Sequence, residues 1–258
     1  MKVTLLQTDI RWAEPDENMA EAARLIALQP GADLYVLPEM WSTGFATVPE
    51  GIALAEDGNV ALQWMHDEAR QRRCAICGSL AVQLADGTFR NRHYFVDGRS
   101  GTTRYYDKHH LFTYGHENER YTPGREHVVV DYNGWRLLLL TCYDLRFPVW
   151  SRYSASLVYD AIVIVANWPA SRQQNWEVLT RARGLENQCY LVGVNRVGDD
   201  HFGHYSGGSL VVDAYGGTVA QCRNDEVEAL TVCLDLAELR RRRQKFRVLE
   251  DRDDFAIL

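Results

Sequence analysis

The segment WRLLLLTC, residues 135–142, predicts a buried β-strand, because it is short, apolar and rich in leucine. A second apolar segment, DAIVIVANW (160–168), follows it closely. Between them the chain turns polar at once, with YDLR at 143–146 directly after Cys142. Free cysteine is among the most frequently buried residue types, so Cys142 is either a core thiol or a nucleophile held at the end of a strand.

Other parts of the chain show the same alternation of apolar segments with helical patterns. Further strands are predicted at 2–10, 33–40, 74–84, 90–97, 189–198, 206–216 and 228–236. Helices are predicted at 15–29, 59–73 and 173–188. Turn dipeptides typical of hairpins lie at 86–87, 97–98, 133–134 and 216–217. This mixture favours an α/β sandwich with helices outside a largely buried core.

The composition is that of a globular protein and narrows the classes of partner. The chain has 258 residues, 46% hydrophobic and 24% charged, which predicts a single domain over 1–258. A net charge of -7 disfavours nucleic acid as a binding partner. No apolar run approaches the roughly 20 residues of a membrane helix, and the first residues are too polar for a signal peptide. Six cysteines without framework spacing favour reduced thiols and a cytoplasmic protein.

The C-terminal residues, about 237–258, combine many charges with spaced aromatic residues. We predict that they form a surface arm that packs on a partner subunit, with a frayed terminus as the alternative. The basic run RRRRQ at 240–244 is interpreted as the solvated face of a helix.

Three chemically active residues stand at or after segments with strand character: Glu39 after Leu37–Pro38, Lys108 after a run of Thr and Tyr, and Cys142 at the end of WRLLLLTC. Ligands of open α/β sheets bind beyond the carboxyl ends of the strands, so these side chains could meet there. A nearby lysine stabilises a thiolate, and a partly desolvated glutamate can accept the thiol proton and return it to a leaving amine. Spacing alone does not establish that the three residues converge.

Three sequence motifs around these residues resemble the nitrilase superfamily of carbon–nitrogen hydrolases. The motifs are LPEMWSTGF (37–45), YDKHHLF (106–112) and CYDLRFP (142–148), and the resemblance extends from Val3 to about Asp235. It implies a four-layer α-β-β-α sandwich that forms homodimers and uses no cofactor and no metal.

The resemblance also implies a role for each motif residue. Glu39 would be the general base and acid, Lys108 would stabilise the oxyanion, and Cys142 would be the nucleophile. A second glutamate is expected before the Pro-Gly turn at 123–124, where the spacing favours Glu117 and leaves Glu119 in reserve.

Within the superfamily, the sequence resembles the omega-amidase branch. Cys142 is followed by Tyr-Asp where true nitrilases usually have Trp-Glu, which disfavours a nitrile substrate. Omega-amidases hydrolyse the terminal amide of 2-oxoglutaramate and 2-oxosuccinamate. A deaminated-glutathione amidase and an N-carbamoyl-amino-acid hydrolase remain alternatives inside the superfamily.

Four residues are candidates for binding such a substrate. The backbone N–H of Tyr143 could hold the oxyanion, and Arg146 could bind the distal carboxylate or instead brace its loop against Asp144 or a glutamate. Asn167 is expected to line the same pocket, and Trp168 either lines it or only packs.

Several other patterns offer competing readings. The Cys74–Cys77 pair has CxxC spacing but no second pair, so these are interpreted as structural thiols. DDHFGHYSGG (199–208) is predicted to be a surface loop near the site, and His109 to support the Lys108 loop. A glutamine amidotransferase or Cys-His peptidase would need a catalytic histidine motif, which is not evident. A non-catalytic binding module would not need to retain glutamate, lysine and cysteine together.

Overall fold

Two β-sheets packed face to face form the centre of the protein, seen here in a computed structural model that describes residues 1–256. The strands are β1 (Lys2–Gln7), β2 (Leu34–Val36), β3 (Leu54–Ala55), β4 (Ala75–Gln83), β5 (Phe89–Asp97), β6 (Thr102–Asp107), β7 (Val129–Tyr132), β8 (Trp135–Thr141), β9 (Ala161–Ala166), β10 (Tyr190–Asn195), β11 (Val197–Asp200), β12 (Gly203–Ser206), β13 (Leu210–Val212), β14 (Thr218–Gln221) and β15 (Glu228–Cys233). The helices are α1 (Pro15–Leu28), α2 (Val60–Arg72), α3 (Pro148–Ser151), α4 (Gln173–Glu186) and α5 (Leu236–Lys245).

The first sheet has the order β15-β1-β2-β4-β5-β6, with the short β3 beside β4. The second has the order β14-β13-β10-β9-β8-β7. In the first sheet β2 is parallel to β4, and two antiparallel pairings separate β4 from β6, so β2 and β6 run in the same direction. In the second sheet β8, β9 and β10 are parallel. Each set of parallel strands therefore presents its carboxyl ends at one edge.

The alternation of side chains along each strand of the first sheet separates two apolar layers. Val3 and Leu5 of β1 face the core between the sheets, whereas Leu6 faces the opposite side. On that side, α1 contributes Leu25 and α2 contributes Met65. Each fully buried side chain of this size stabilises the fold by roughly 1.5–3 kcal/mol.

The second sheet is covered by the other two long helices. Trp176 of α4 and Leu239 of α5 both pack into the same core as the leucines of β8. The layers are therefore helix, sheet, sheet and helix, and the predicted α-β-β-α sandwich is confirmed. None of the helices in residues 1–256 combines the length and the apolar character that crossing a bilayer requires.

Local chain signals that were visible in the sequence determine where the helices and hairpins begin. Pro15 occupies the first turn of α1, and the Asn59 side chain accepts hydrogen bonds from two backbone N–H groups at the start of α2. All four predicted turn dipeptides connect or flank antiparallel strands. At 133–134 both residues have positive φ (49° and 78°), which matches the twist of a two-residue hairpin.

The first part of the predicted arm over 237–258 is a helix, and the packing of this arm on a partner subunit stays a prediction. Residues 236–245 form α5, which docks on the second sheet through the buried Leu239. Arg243, predicted on a solvated face, instead pairs with Asp160 (3.3 Å) and donates hydrogen bonds to two backbone carbonyls. One arginine of a basic run therefore packs against the protein where buried acceptors are available to it. The last two positions of the predicted arm, 257–258, lie outside the described residues.

The prediction of one strand over 189–198 and a surface loop over 199–208 is also wrong. The chain leaves the second sheet at Arg196, whose fully buried guanidinium donates to Asp200 (3.0 Å) and to the carbonyl of Ile10 (3.0 Å). The hairpin β11-β12 follows, and its pairing satisfies the polar backbone that suggested a loop.

Candidate active site

The carboxyl ends of three strands bring the predicted residues to one place. Glu39 lies three residues after β2, Lys108 directly follows β6, and Cys142 directly follows β8. Cys142 lies on the wall of a cavity of about 570 Å³ that opens at this edge. Two strand ends come from the first sheet and one from the second, so the site straddles the sandwich.

A fully buried ionic network lies at the centre of the site. Nζ of Lys108 is 2.9 Å from Oε1 of Glu39 and 2.8 Å from Oε2 of Glu117, and all three side chains are inaccessible to solvent. Glu119, the reserve candidate, is exposed and contacts His116 instead (2.7 Å). The structure therefore brings together Glu39, Lys108 and Glu117, and it places Glu119 at the surface.

Every oxygen of the two buried carboxyl groups accepts a hydrogen bond. The backbone N–H of Asn167 donates to Oε2 of Glu39 (2.8 Å), and that of Phe112 donates to Oε2 of Glu117 (2.7 Å). Nδ2 of Asn91 donates to Oε1 of both Glu39 (2.8 Å) and Glu117 (3.0 Å). Asn91 was not found from the sequence, because one polar residue inside a strand among arginines carries no sign of which way it faces.

Burial and neighbouring charges set the protonation tendencies of the site. Burial would lower the pKa of Lys108, but the charges of Glu117 and Glu39 outweigh it and raise that pKa above its ordinary value. Burial raises the pKa of Glu117, against the opposing effect of Lys108. Burial and the charge of Glu39 raise the pKa of the Cys142 thiol well above its usual range. The resting sulfur is therefore a thiol, which must transfer its proton before it can attack.

The backbone at the nucleophile is strained. Cys142 has φ of 44°, in the left-handed region that costs a non-glycine residue about 1–3 kcal/mol. The buried carboxylate of Asp144 supports this turn by accepting hydrogen bonds from the backbone N–H of Thr141 (3.0 Å), the backbone N–H of His110 (2.9 Å) and the hydroxyl of Tyr106 (2.8 Å). Asp144 thus ties the Cys142 turn to the loop that carries Lys108.

His109 fits its predicted role of supporting the Lys108 loop. Its ring stacks on Trp150 with centroids 3.6 Å apart, and its Nδ1 lies 2.7 Å from the carbonyl oxygen of Gly124. Within residues 1–256, no group of His, Cys, Asp or Glu side chains is arranged to hold a metal ion.

The four predicted substrate residues all line the cavity. Trp168 is also almost completely buried, so it both lines the cavity and packs. The guanidinium of Arg146 lies over the Trp168 ring, 4.9 Å from its centroid, and forms no ion pair within residues 1–256. The Asp144 carboxylate accepts hydrogen bonds from the backbone N–H groups of His110 and Thr141, and it forms no ion pair with Arg146. Asn167 holds Glu39 through its backbone N–H and through Nδ2, which donates to the Glu39 carbonyl (2.7 Å).

The cavity also includes residues that the sequence did not single out. Arg172 contributes a second guanidinium, 5.5 Å from the centroid of the Phe112 ring. Phe202 and Tyr205 of the hairpin β11-β12 form part of the wall. Arg172 could have been found in the sequence as a cationic residue shortly after the predicted strand 160–168. The sequence around Phe202 and Tyr205 contains no motif that indicates a place in the site.

Comparison with known proteins identifies the family. The family model described as Carbon-nitrogen hydrolase matches residues 2–244. The chain belongs to the carbon–nitrogen hydrolase family. It is 41% identical to omega-amidase YafV of Escherichia coli (strain K12) over 258 residues, covering 100% of this chain and 98% of that protein. It is 31% identical to 2-oxoglutaramate amidase of Bacillus subtilis (strain 168) over 251 residues, 96% of each chain.

A solved structure supports the same family membership. A CN-hydrolase superfamily protein from Xanthomonas campestris, with an arsenic adduct in its active site, superposes with a TM-score of 0.95 at 34% identity. The match covers 100% of this chain and 99% of that one. The predicted resemblance to the superfamily, and the prediction of an enzyme that hydrolyses amide bonds, are thereby confirmed.

The other thiols of this carbon–nitrogen hydrolase lie away from the cavity. Cys74 packs on the helix side of the first sheet and Cys77 between the sheets, so the CxxC pair is split across the sheet. Burial raises the pKa of Cys74 to about 11. Cys233 is exposed, in contrast to the remaining thiols.

We expect iodoacetamide to modify two thiols, the exposed Cys233 and the cavity-lining Cys142, while the other four stay protected by burial. Loss of amidase activity should follow alkylation of Cys142 alone, as measured by peptide mass spectrometry beside residual activity. Cys233→Ser is the matched control: it should take up one label and still be inactivated. Inactivation without a label on Cys142 would contradict this expectation.

Proposed function

We propose that this carbon–nitrogen hydrolase is an omega-amidase that hydrolyses the terminal amide of 2-oxoglutaramate and 2-oxosuccinamate. The observation that carries the proposal is the cavity, whose wall includes Cys142 and two arginine side chains, Arg146 and Arg172. Such a substrate has an amide at one end and a carboxylate at the other, which complements a thiol and guanidinium groups. The Escherichia coli and Bacillus subtilis relatives, named for this type of activity, support it.

The two arginines are suited to bind an anion because their charges are not neutralised by the protein. By contrast, Arg120, which also lines the cavity, pairs with Glu50 (3.3 Å). Arg146 and Arg172 have no ion-pair partner in the described part of the chain, residues 1–256, and each lies over an aromatic ring. Stacking orients a guanidinium plane and leaves its N–H edge free for a bidentate carboxylate contact.

In the first half of the proposed reaction, Glu39 accepts the thiol proton of Cys142 as the sulfur bonds to the amide carbon. The carbonyl oxygen becomes negative and is stabilised by Lys108 and by the backbone N–H of Tyr143. Nζ of Lys108 contacts Oε1 of Glu39 (2.9 Å) and both carboxyl oxygens of Glu117 (2.8 and 3.2 Å). An ammonium has three N–H bonds, so the oxyanion takes over the longest of these contacts, the one to Oε1 of Glu117.

In the second half, Glu39 donates its proton to the amide nitrogen, the C–N bond breaks and ammonia leaves a thioester on Cys142. Glu39 then removes a proton from water as the water oxygen attacks the thioester carbon. The sulfur departs, recovers the proton from Glu39, and the 2-oxo diacid is released. Glu117 keeps Lys108 in place throughout.

The test of this function compares ammonia release from 2-oxoglutaramate, deaminated glutathione, N-carbamoyl-β-alanine and a simple nitrile. We expect the highest kcat/KM with 2-oxoglutaramate and no measurable turnover of the nitrile. Preference for deaminated glutathione or the carbamoyl compound would replace the omega-amidase proposal with that activity.

Arg172→Gln and Arg146→Gln are each expected to lower kcat/KM for 2-oxoglutaramate roughly 10- to 100-fold, the value of a charge-assisted hydrogen bond of about 1.5–3 kcal/mol. Turnover of an amide of similar length without a carboxylate should change far less, because it makes no contact with either guanidinium. Arg120→Gln is the matched control, since that arginine is already paired with Glu50. Equal losses on both substrates would contradict a role in carboxylate binding.

We also propose that the enzyme works as a cytoplasmic homodimer, as the family resemblance implies. Sedimentation equilibrium of the purified full chain should give twice the mass of the chain at micromolar concentration. A monomer with full amidase activity would contradict this.

A further inference from the structure

Asn91, the third residue of β5, contacts both carboxyl groups of the proposed catalytic network through its side chain and the Lys108 backbone through its own backbone. Nδ2 of Asn91 donates to Oε1 of Glu39 (2.8 Å) and to Oε1 of Glu117 (3.0 Å). The Asn91 backbone carbonyl accepts the N–H of Lys108 (2.9 Å), at the point where β6 ends. We propose that Asn91 is a positioning residue that keeps the two carboxyl groups ionised side by side, so that Glu39 is free to accept the Cys142 proton.

The orientation of the Asn91 amide supports this role. Both of its N–H bonds point at carboxylates, and its own Oδ1 is buried without a hydrogen-bond partner among residues 1–256. Turning the amide over would direct an oxygen at two carboxylates, so the observed orientation is the favourable one. A buried acceptor without a hydrogen bond destabilises the folded state by about 1–3 kcal/mol. Asn91 carries this penalty, which an apolar residue at the same position would avoid.

The charge balance explains why two neutral donors are needed. The two carboxyl groups share a single ammonium, that of Lys108, and all three side chains are fully buried. With only one cation, ionisation of one carboxyl opposes ionisation of the other, and the pKa of Glu117 is indeed raised by burial and by Glu39. Hydrogen bonds to the charged form favour that form, and an amide supplies them without adding charge.

The other titratable groups that face the pair do not replace Asn91. Cys142, which follows β8, is a thiol at rest, because burial and Glu39 raise its pKa. The hydroxyl of Tyr121 donates to the carbonyl of Ala46 (2.6 Å), and burial raises its pKa well above the usual range. The backbone N–H groups of Asn167 and Phe112 also donate to the two carboxyl groups, so Lys108 and Asn91 are the side chains that favour their ionised form.

The proposal rests on the proposed roles of Glu39 and Glu117, and the pH dependence of Asn91 variants tests it. In Asn91→Leu the pair should hold a proton to higher pH, so the acid limb of kcat/KM should move up by about one pH unit, with activity at neutral pH reduced up to about 100-fold. Asn91→Ser is smaller, keeps one donor and should fold, and we expect an intermediate shift. Adding Glu117→Gln to Asn91→Leu removes one charge and should return the limb towards that of the wild type.

A purely structural role would lower activity without moving the acid limb, and that result in both Asn91→Leu and Asn91→Ser would overturn the proposal. The rate of Cys142 alkylation by iodoacetamide against pH, measured in the Cys233→Ser background, reports the same limb without any substrate. Failure of the omega-amidase proposal would leave this alkylation profile unaffected. An unshifted alkylation profile in Asn91→Leu would contradict the proposed role of Asn91 and would leave the omega-amidase proposal untouched.

Discussion

Cys142→Ala is expected to lower amide hydrolysis by at least about 10⁴-fold, the scale on which loss of a nucleophile acts in a site whose groups work as a unit. Alanine removes the sulfur that forms the thioester. Lys108 and Glu39 keep their positions because they bond to each other, Glu39 also to Asn167 and Lys108 also to Glu117. The measurement is ammonia release from 2-oxoglutaramate by the purified variant.

The matched control is Cys233→Ser, which changes a thiol that is exposed and distant from the cavity, and we expect it to retain wild-type activity. Cys142→Ala should still bind the substrate, because the arginine contacts remain, and calorimetry with 2-oxoglutaramate checks this. Ammonia release within tenfold of the wild type would exclude Cys142 as the nucleophile.

Lys108→Met is expected to abolish activity and to lower the free energy of unfolding by about 3–5 kcal/mol, because it leaves buried carboxyl groups without their cation. The stability change is measured by urea unfolding. Lys245→Met, at an exposed position at the end of α5, should be within about 0.5 kcal/mol of the wild type.

Adding Glu117→Gln to Lys108→Met separates stability from catalysis. The second substitution removes one of the two buried carboxyl groups, so it should restore a large part of the lost stability but none of the activity. A Lys108→Met protein as stable as the wild type would contradict the buried ionic network.

The parts of the site that were predictable from the sequence lie at or shortly after the ends of strands. Glu39 and Cys142 stand where an apolar pattern stops, and Lys108 follows a run of Thr and Tyr, so each lies at a strand end and therefore at the sheet edge. Their assignment to one site came from the family motifs that contain them. The alternation of apolar segments with capped helices predicted an α/β sandwich with helices outside, and the resemblance to the superfamily supplied the four-layer arrangement.

The parts that escaped prediction depend on contacts between segments distant in the chain. The direction in which Asn91 faces is determined by β4 and β6 on either side of its strand, and local sequence carries no information about it. Arg243 likewise turns inward because its acceptors, Asp160 and two backbone carbonyls, lie in segments distant along the chain. The polar residues of 199–208 suggested a loop, whereas pairing of β11 with β12 made them a hairpin over the cavity.

The left-handed backbone at Cys142 has a consequence for how such a protein would change over generations. Glycine accepts a φ of 44° without a steric penalty, so Cys142→Gly would relieve strain that the working enzyme carries. Selection for stability and selection for activity therefore favour different residues at this position. In a duplicated copy released from its metabolic role, we expect the nucleophile to be lost early, while the surrounding core is still intact.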